Sequence, residues 1–194
     1  MVIIGIREEA KIITRNRIVE KTKELLFING FVKVSSKDIA NLAEVSQGSI
    51  FLHFGTKNNL LNEILESNIV SLTNELKNEC DTSSTSNEFL RNLIEVVSKH
   101  ENLLSRSLKD YPYLDEYLCK QIDNFDTLLK NIIFDNMRKN SEMRLNIVDS
   151  FIYIDGFVSQ LKFYLIQKDE NQISISIINQ RRGRISKLYK KLIL

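Results

Sequence analysis

Residues 35–57 read Ser-Ser-Lys-Asp-Ile-Ala-Asn-Leu-Ala-Glu-Val-Ser-Gln-Gly-Ser-Ile-Phe-Leu-His-Phe-Gly-Thr-Lys, and this stretch decides the fold. The Ser35 hydroxyl suits a helix beginning at Ser36, accepting from its first backbone amides, and Asp38 three residues on can answer toward the cap. Ile39, Leu42 and Ala43 recur at helical spacing, while Ala40 is small enough to let a second helix cross closely. Val45 points inward from a turn and Ser46 caps a second short helix, Gln47 to Phe54, whose buried face is Ile50 and Phe54. Gln47, Gly48, Ser49, Phe51 and His53 remain on the other side. Any one of these residues fits an ordinary helical hairpin with a solvated face. Their combined spacing favours a helix-turn-helix, which sets a short helix into the major groove of double-stranded DNA.

The bulk numbers agree with helices. The chain has 194 residues, 43% hydrophobic and 27% charged, with six Gly and one Pro, so few breakers interrupt it. No apolar run approaches the roughly 20 residues of a membrane span. Residues 1–60 hold nine basic and six acidic side chains, net +3, against −1 for the remainder. The positive charge therefore sits on the half where phosphates would need it.

From Arg17 to Leu61 the chain resembles the tetracycline-repressor-like (TetR) transcriptional regulators. The resemblance runs through Ile18, Leu25, Gly30-Phe31, Ser35, Asp38-Ile39-Ala40, Ala43, Val45-Ser46, Gly48-Ser49-Ile50, His53-Phe54 and Lys57. It implies an all-α fold with an N-terminal three-helix DNA-binding head and a C-terminal helical body for ligand binding and dimerisation. Two residues depart from the family pattern. Glu44 stands where the family usually has a turn glycine, at a cost on the order of 1 kcal/mol if φ is positive. Phe51 stands where the family has a phosphate-binding Tyr, which leaves its ring to meet sugar or a thymine methyl.

We read residues 1–13 as a disordered lead-in, 14–60 as the head and 61–194 as the body. Asn16 to Asn29 forms a first helix with Ile18, Thr22, Leu25, Leu26 and Asn29 on one stripe, closed by Gly30 and Phe31. Thr56 caps a long helix from Lys57 to about Cys80, which the resemblance makes the lever between head and body. Asp81 to Asn87 is a small-residue loop, Glu88 to about Leu108 a helix, and Tyr111-Pro112-Tyr113 a break. From Pro112 a helix runs to about Lys139 with an interruption near Cys119. Ser141 caps another that ends near Lys168, and Asn171 caps the last, from Gln172 onward. The final two helices are apolar on most sides, consistent with the family's two-fold helical bundle.

On this reading Gln47 and Lys37 have the reach for base edges, Gly48 permits close approach, and Ser36, Ser49, His53 and Lys57 resemble phosphate-positioning residues, with Phe51 beside them. The expected partners are a pseudo-palindromic operator in double-stranded DNA, a second copy of the chain, and a small apolar or aromatic effector that releases a repressor. Tyr113, Tyr117, Phe125, Phe151, Asp155 and Phe157 are the candidate effector-binding residues. Asp155 interrupts an apolar run and must be paired, protonated or exposed, with a cationic ligand or an Arg or Lys across the dimer interface as its partner.

An enzyme is the contrary class. Only His53 and His100 are available, no nucleophile–base spacing or phosphate-binding glycine loop occurs, and no metal-ligand spacing is present, so we expect no catalytic residue, metal or cofactor. His100, in Lys-His-Glu, reads as a solvated helix residue. Cys80 and Cys119 lie far apart without a C-x-x-C, which fits packing roles in a reducing cytoplasm, and the lack of a span-length apolar run leads us to expect no membrane association. The remaining alternative is a helical dimer whose head has lost specific DNA binding through Phe51 and Glu44, leaving a small-molecule-binding or structural protein.

Overall fold

The computed structural model describes residues 5–81, 83, 85–139, 146–169 and 174–193. In chain order its elements are α1 (Ile6–Lys33), α2 (Ser36–Leu42), α3 (Gln47–Phe54), α4 (Lys57–Asp81), α5 (Ser86–Asp110), a 3-10 turn (Tyr111–Tyr113), α6 (Glu116–Lys139), α7 (Ile147–Ile166), α8 (Ile177–Gln180) and α9 (Arg182–Ile193). Among the described residues the chain is all-α, with the helix-turn-helix head at its N-terminal end.

Two apolar cores are stacked along α4. Ile18, Leu26, Phe31, Ile39, Ile50, Phe54, Leu60 and Leu65 belong to the first, around the head. Leu72, Leu76, Phe89, Leu93, Ile133, Ile154, Phe157 and Tyr189 belong to the second, in the body. Because α4 supplies Leu60 to Ile69 to one core and Leu72 to Cys80 to the other, it is the element on which both are built. Neighbouring residues of α5, Leu103 and Leu104, divide between the two cores in the same way.

Several boundaries differ from the sequence reading. The first helix begins at Ile6, not near Asn16, because Glu8 and Glu9 favour its first turn and no breaker follows them. Residues 1–4 of the expected lead-in lie outside the described residues, as do Thr82, Ser84, the proposed cap Ser141 and the proposed cap Asn171 with Gln172. The polar loop is shorter than expected, since Thr85 accepts a hydrogen bond from the Glu88 amide (3.2 Å) and starts α5 at Ser86. Pro112 does not open a helix; it sits in the 3-10 turn, and α6 starts at Glu116. No interruption occurs at Cys119, whose amide donates to the Asp115 carbonyl (3.1 Å). Asn146 caps α7, accepting from the Asp149 amide (2.9 Å).

The last helices are less uniformly apolar than expected. α9 buries Ile185 and Tyr189 inside its own body and turns Arg182, Arg184, Lys187, Lys190 and Lys191 outward. α7 behaves differently, leaving Val148, Ile152, Phe163 and Ile166 exposed on one face.

Candidate DNA-binding head and effector cavity

Local side-chain chemistry fixes both ends of the turn. Ser35 accepts from the Asp38 amide (3.2 Å), while the Asp38 carboxylate accepts from the Ser35 amide (3.1 Å) and hydroxyl (2.5 Å), a reciprocal capping box. The Ser35 hydroxyl and amide hold the Asp38 carboxyl below its ordinary pKa. Glu44 adopts φ 52°, and the Val45 amide donates to the Ala40 carbonyl (3.0 Å), so the turn forms with a non-glycine residue in the left-handed region. Ser46 accepts from the Ser49 amide (3.1 Å) and starts α3.

Ile50 and Phe54 are buried beneath α3, whereas Gln47, Gly48 and Phe51 are exposed on it. Lys37 is exposed and Ser36 half-buried on the neighbouring α2. Ser49 is half-buried with its hydroxyl 3.0 Å from that of Ser46. His53 is half-buried, and its Nδ1 is enclosed with no hydrogen-bond partner. Burial first, then the charges of Lys11 and Arg15, push its pKa below the usual imidazole value. Lys57 Nζ donates to the Val34 carbonyl (3.0 Å), holding the loop between α1 and α2 against the start of α4. Arg15, on the N-terminal extension of α1, pairs with Glu63 (2.6 Å) and lies 4.8 Å above the Phe54 ring, tying α1 to α3 and α4.

The body holds an apolar cavity between α4, α5, α6 and α7, lined among others by Ile69, Val97, Leu104, Leu108, Leu129 and Leu161. Of the six effector candidates only Phe125 lines it. Tyr113 is 76% exposed. Tyr117 is exposed, its hydroxyl donating to Glu66 (2.9 Å). Phe151 stacks on Phe134 outside the cavity, and Phe157 is buried against Tyr189 in the body core. Asp155 is exposed and pairs with Lys130 of its own chain (2.5 Å), where the sequence reading looked for a cationic ligand or a basic residue across a dimer interface. Aromatic content pointed to α6 and α7, which border this cavity, but not to the direction each ring takes.

Asp126 and Lys162 also belong to the cavity lining and were not singled out from the sequence. Asp126 accepts from Lys162 (3.0 Å) and from Lys130 (2.6 Å). Burial alone would raise its carboxyl, but the two ammonium groups outweigh that and hold it below its ordinary value.

The family comparison falls on the same head. Residues 18–64 match the model for bacterial regulatory proteins of the tetR family. The chain is 26% identical over 145 residues to the HTH-type transcriptional regulator QacR of Staphylococcus aureus, covering 70% of this chain and 77% of that relative. The head matches the tetR family of bacterial regulators, and the chain is similar to TetR-family transcriptional regulators. The whole fold also follows solved structures of transcriptional regulators, one of them described as TetR-family. PfmR from Thermus thermophilus superposes with a TM-score of 0.69 at 19% identity, over 90% of this chain and 97% of that one. FadR from Bacillus subtilis, solved in complex with stearoyl-CoA, does so with a TM-score of 0.64 at 15% identity, over 92% and 97%. Among the described residues no helix is long and apolar enough to cross a membrane.

In this chain the body grips the head through side chains that sequence reading missed. Arg106 Nε and Nη2 donate to the Phe27 and Ile28 carbonyls (2.9 and 2.6 Å), and Asp110 accepts from the Phe31 and Val32 amides (2.6 and 3.4 Å). Between these groups Gly30 takes φ 76°, so α5 caps both sides of the kink in α1. His100 is not solvated. Its ring meets Asn68 (3.1 Å) and Glu75 (2.9 Å) of α4, and the hydrogen bond to Glu75 is the first cause of the lowered Glu75 pKa. Deeper in the body, Glu101 pairs with Lys168 (2.6 Å) and accepts from the Ile177 and Ile178 amides (both 3.2 Å), fixing the start of α8.

Proposed function

We propose that the chain is a cytoplasmic homodimeric repressor that leaves a pseudo-palindromic operator when an apolar molecule enters the body cavity. One observation carries the reading: α3 is held from beneath by Ile50 and Phe54 while Gln47, Gly48 and Phe51 face outward. A surface braced below and free above can follow base edges without rearranging. Ile69 of α4 lines the cavity and Lys57 of the same helix touches the head, so the cavity and the operator-reading surface share an element. A division into head 14–60 and body 61–194 then runs through α4 itself. Two heads related by a two-fold axis would read half-sites about 34–36 Å apart.

Within the head, Gln47 and Lys37 are assigned to base edges and Ser36, Ser49 and Lys57 to phosphates, with Gly48 giving clearance and the Phe51 ring meeting sugar or a thymine methyl. His53, whose ring nitrogen Nδ1 has no partner among the described residues, is assigned to a phosphate as a hydrogen-bond donor.

The test is fluorescence anisotropy with DNA from upstream of the chain's own gene, repeated at several salt concentrations. Specific binding that weakens steeply as salt rises is the expected result. Weak binding without sequence preference would favour the alternative of a head that has lost its operator. Gln47→Ala is expected to change preference at one base pair by about 1–3 kcal/mol, while Lys57→Ala lowers affinity for all sequences alike. Equal, uniform losses for both would refute that division.

A further inference from the structure

The outer surface of α3 carries no carboxylate, no Lys and no Arg: its sequence is Gln-Gly-Ser-Ile-Phe-Leu-His-Phe. Leu52 is 78% exposed, more than any other large hydrophobic side chain among the described residues, and Phe51 beside it is 48% exposed. A lone leucine on a surface is ordinary. Its place on this helix is not. At about 100° per residue, Leu52 stands about 160° from Ile50 and about 160° from Phe54, the two residues that anchor α3, so it marks the line farthest from the core.

Gly48 lies one turn earlier, close to the same line. A helical side chain leans toward the N-terminus, over the turn that precedes it, so Leu52 leans toward Gly48. The space above Gly48 is otherwise open, since a Cβ there would meet only the Ser46 hydroxyl, at 3.6 Å. The two residues therefore form a notch with a floor of bare backbone and an aliphatic wall. Leu52 neither donates nor accepts a hydrogen bond, so the amino, ring-nitrogen and carbonyl edges of the bases are closed to it. The one apolar group that a base pair presents in the major groove is the 5-methyl of thymine. Set in the notch, that methyl and the leucine leave water together. Phe51 stands about 100° round the helix from Leu52, on the flank, and a flank faces the groove wall, where the sugars lie.

We propose that Leu52 is a specificity-determining residue, packing against the 5-methyl of one thymine in each half-site and leaving Phe51 to the sugar. The inference rests on the reading that α3 enters the major groove. Because Leu52 is so exposed, its replacement leaves the core of the head intact.

The experiment is a selection of binding sequences from a pool of random duplexes, by the parent chain and by Leu52→Ala, which keeps a good helix former and removes the wall. Anisotropy then compares the selected duplex with copies in which single thymines are replaced by deoxyuridine, a change that removes only the methyl. The parent should select an invariant thymine in each half-site, and deoxyuridine there should weaken binding about fourfold per half-site, the worth of one buried methyl. Leu52→Ala should select the same sequence except at that position, where its preference relaxes, and should bind the thymine and deoxyuridine duplexes equally. Leu52→Met, which restores an aliphatic wall, should regain the discrimination, and Phe51→Ala should keep it. A selected site with no methyl-dependent thymine, discrimination that survives Leu52→Ala, or discrimination that is lost with Phe51→Ala overturns the proposal and leaves the DNA-binding reading standing. A parent chain that enriches no sequence overturns both.

Discussion

Glu44 turns the chain between α2 and α3 at φ 52°, where an L side chain crowds its own carbonyl. Glycine relieves that crowding but adds freedom to the unfolded chain, so Glu44→Gly should stabilise the head by at most about 1 kcal/mol, read as a shift of the urea midpoint. Gly48 offers a different contrast. A Cβ there would meet only the Ser46 hydroxyl, at an ordinary 3.6 Å. Gly48→Ala should therefore raise stability by about 0.5–1 kcal/mol through helix propensity and yet weaken operator binding, because the added methyl occupies the clearance to DNA. A variant that is more stable and binds as well as the parent would remove Gly48 from the interface. The depressed pKa of Asp126 sets a sign with pH. Its pairing with Lys130 and Lys162 stabilises the body above the ordinary carboxylate value of 3.8 and is lost as pH falls through the lower folded value. Asp126→Asn should flatten that acid limb of the thermal-stability profile.

Among the elements, the helix-turn-helix was legible in the sequence because each end is fixed by a partner three residues away: Ser35 with Asp38, Ser46 with Ser49, Thr56 with Asn59. The joint between α5 and α1 was not, since Arg106 and Asp110 reach groups 78 and 79 residues distant. A signal was nevertheless present. Glu101 lies four residues after Val97 and Arg106 three after Leu103, polar side chains continuing an apolar stripe, and both are buried. The aromatic positions gave no such signal, because a ring at helical spacing packs inward whether or not a cavity adjoins it. The joint predicts coupled mutations. Gly30→Ala drives a Cβ into Asp110 Oδ2 at a φ that also disfavours alanine, so it should be strongly destabilising. Asp110→Ala alone should cost about 1–3 kcal/mol, because the Phe31 amide loses its partner. The double variant should be less destabilised than the sum, since the clash disappears while the φ strain remains. Additive losses in urea denaturation would mean that the carboxylate moves aside without cost.

On the scale of the whole molecule, the outer surface of α7 calls for a partner. Val148, Ile152, Gly156, Ser159, Phe163 and Ile166 follow one another at three- or four-residue steps, all exposed, along about 27 Å of helix. An apolar stripe of that length on a water-facing surface is characteristic of an interface. A Cβ on Gly156 would meet nothing within 4 Å, so the middle of the stripe is low enough for another helix to cross closely. The exposed side of α9 cannot take the same role, because Arg182, Arg184, Lys187, Lys190 and Lys191 would face their own copies across a two-fold axis. We therefore expect the dimer to centre on α7 against α7, with the basic α9 helices at its flanks. Replacing Ile152 and Phe163 together by Glu sets like charges against each other in that contact while changing no buried residue of the monomer. The variant should sediment as a folded monomer and lose about 10²-fold or more in affinity for the full operator, the advantage of tethering two heads, while its affinity for an isolated half-site stays the same. A variant that remains dimeric would move the interface off α7, and one that loses half-site binding as well would mean that pairing is needed to hold the head itself.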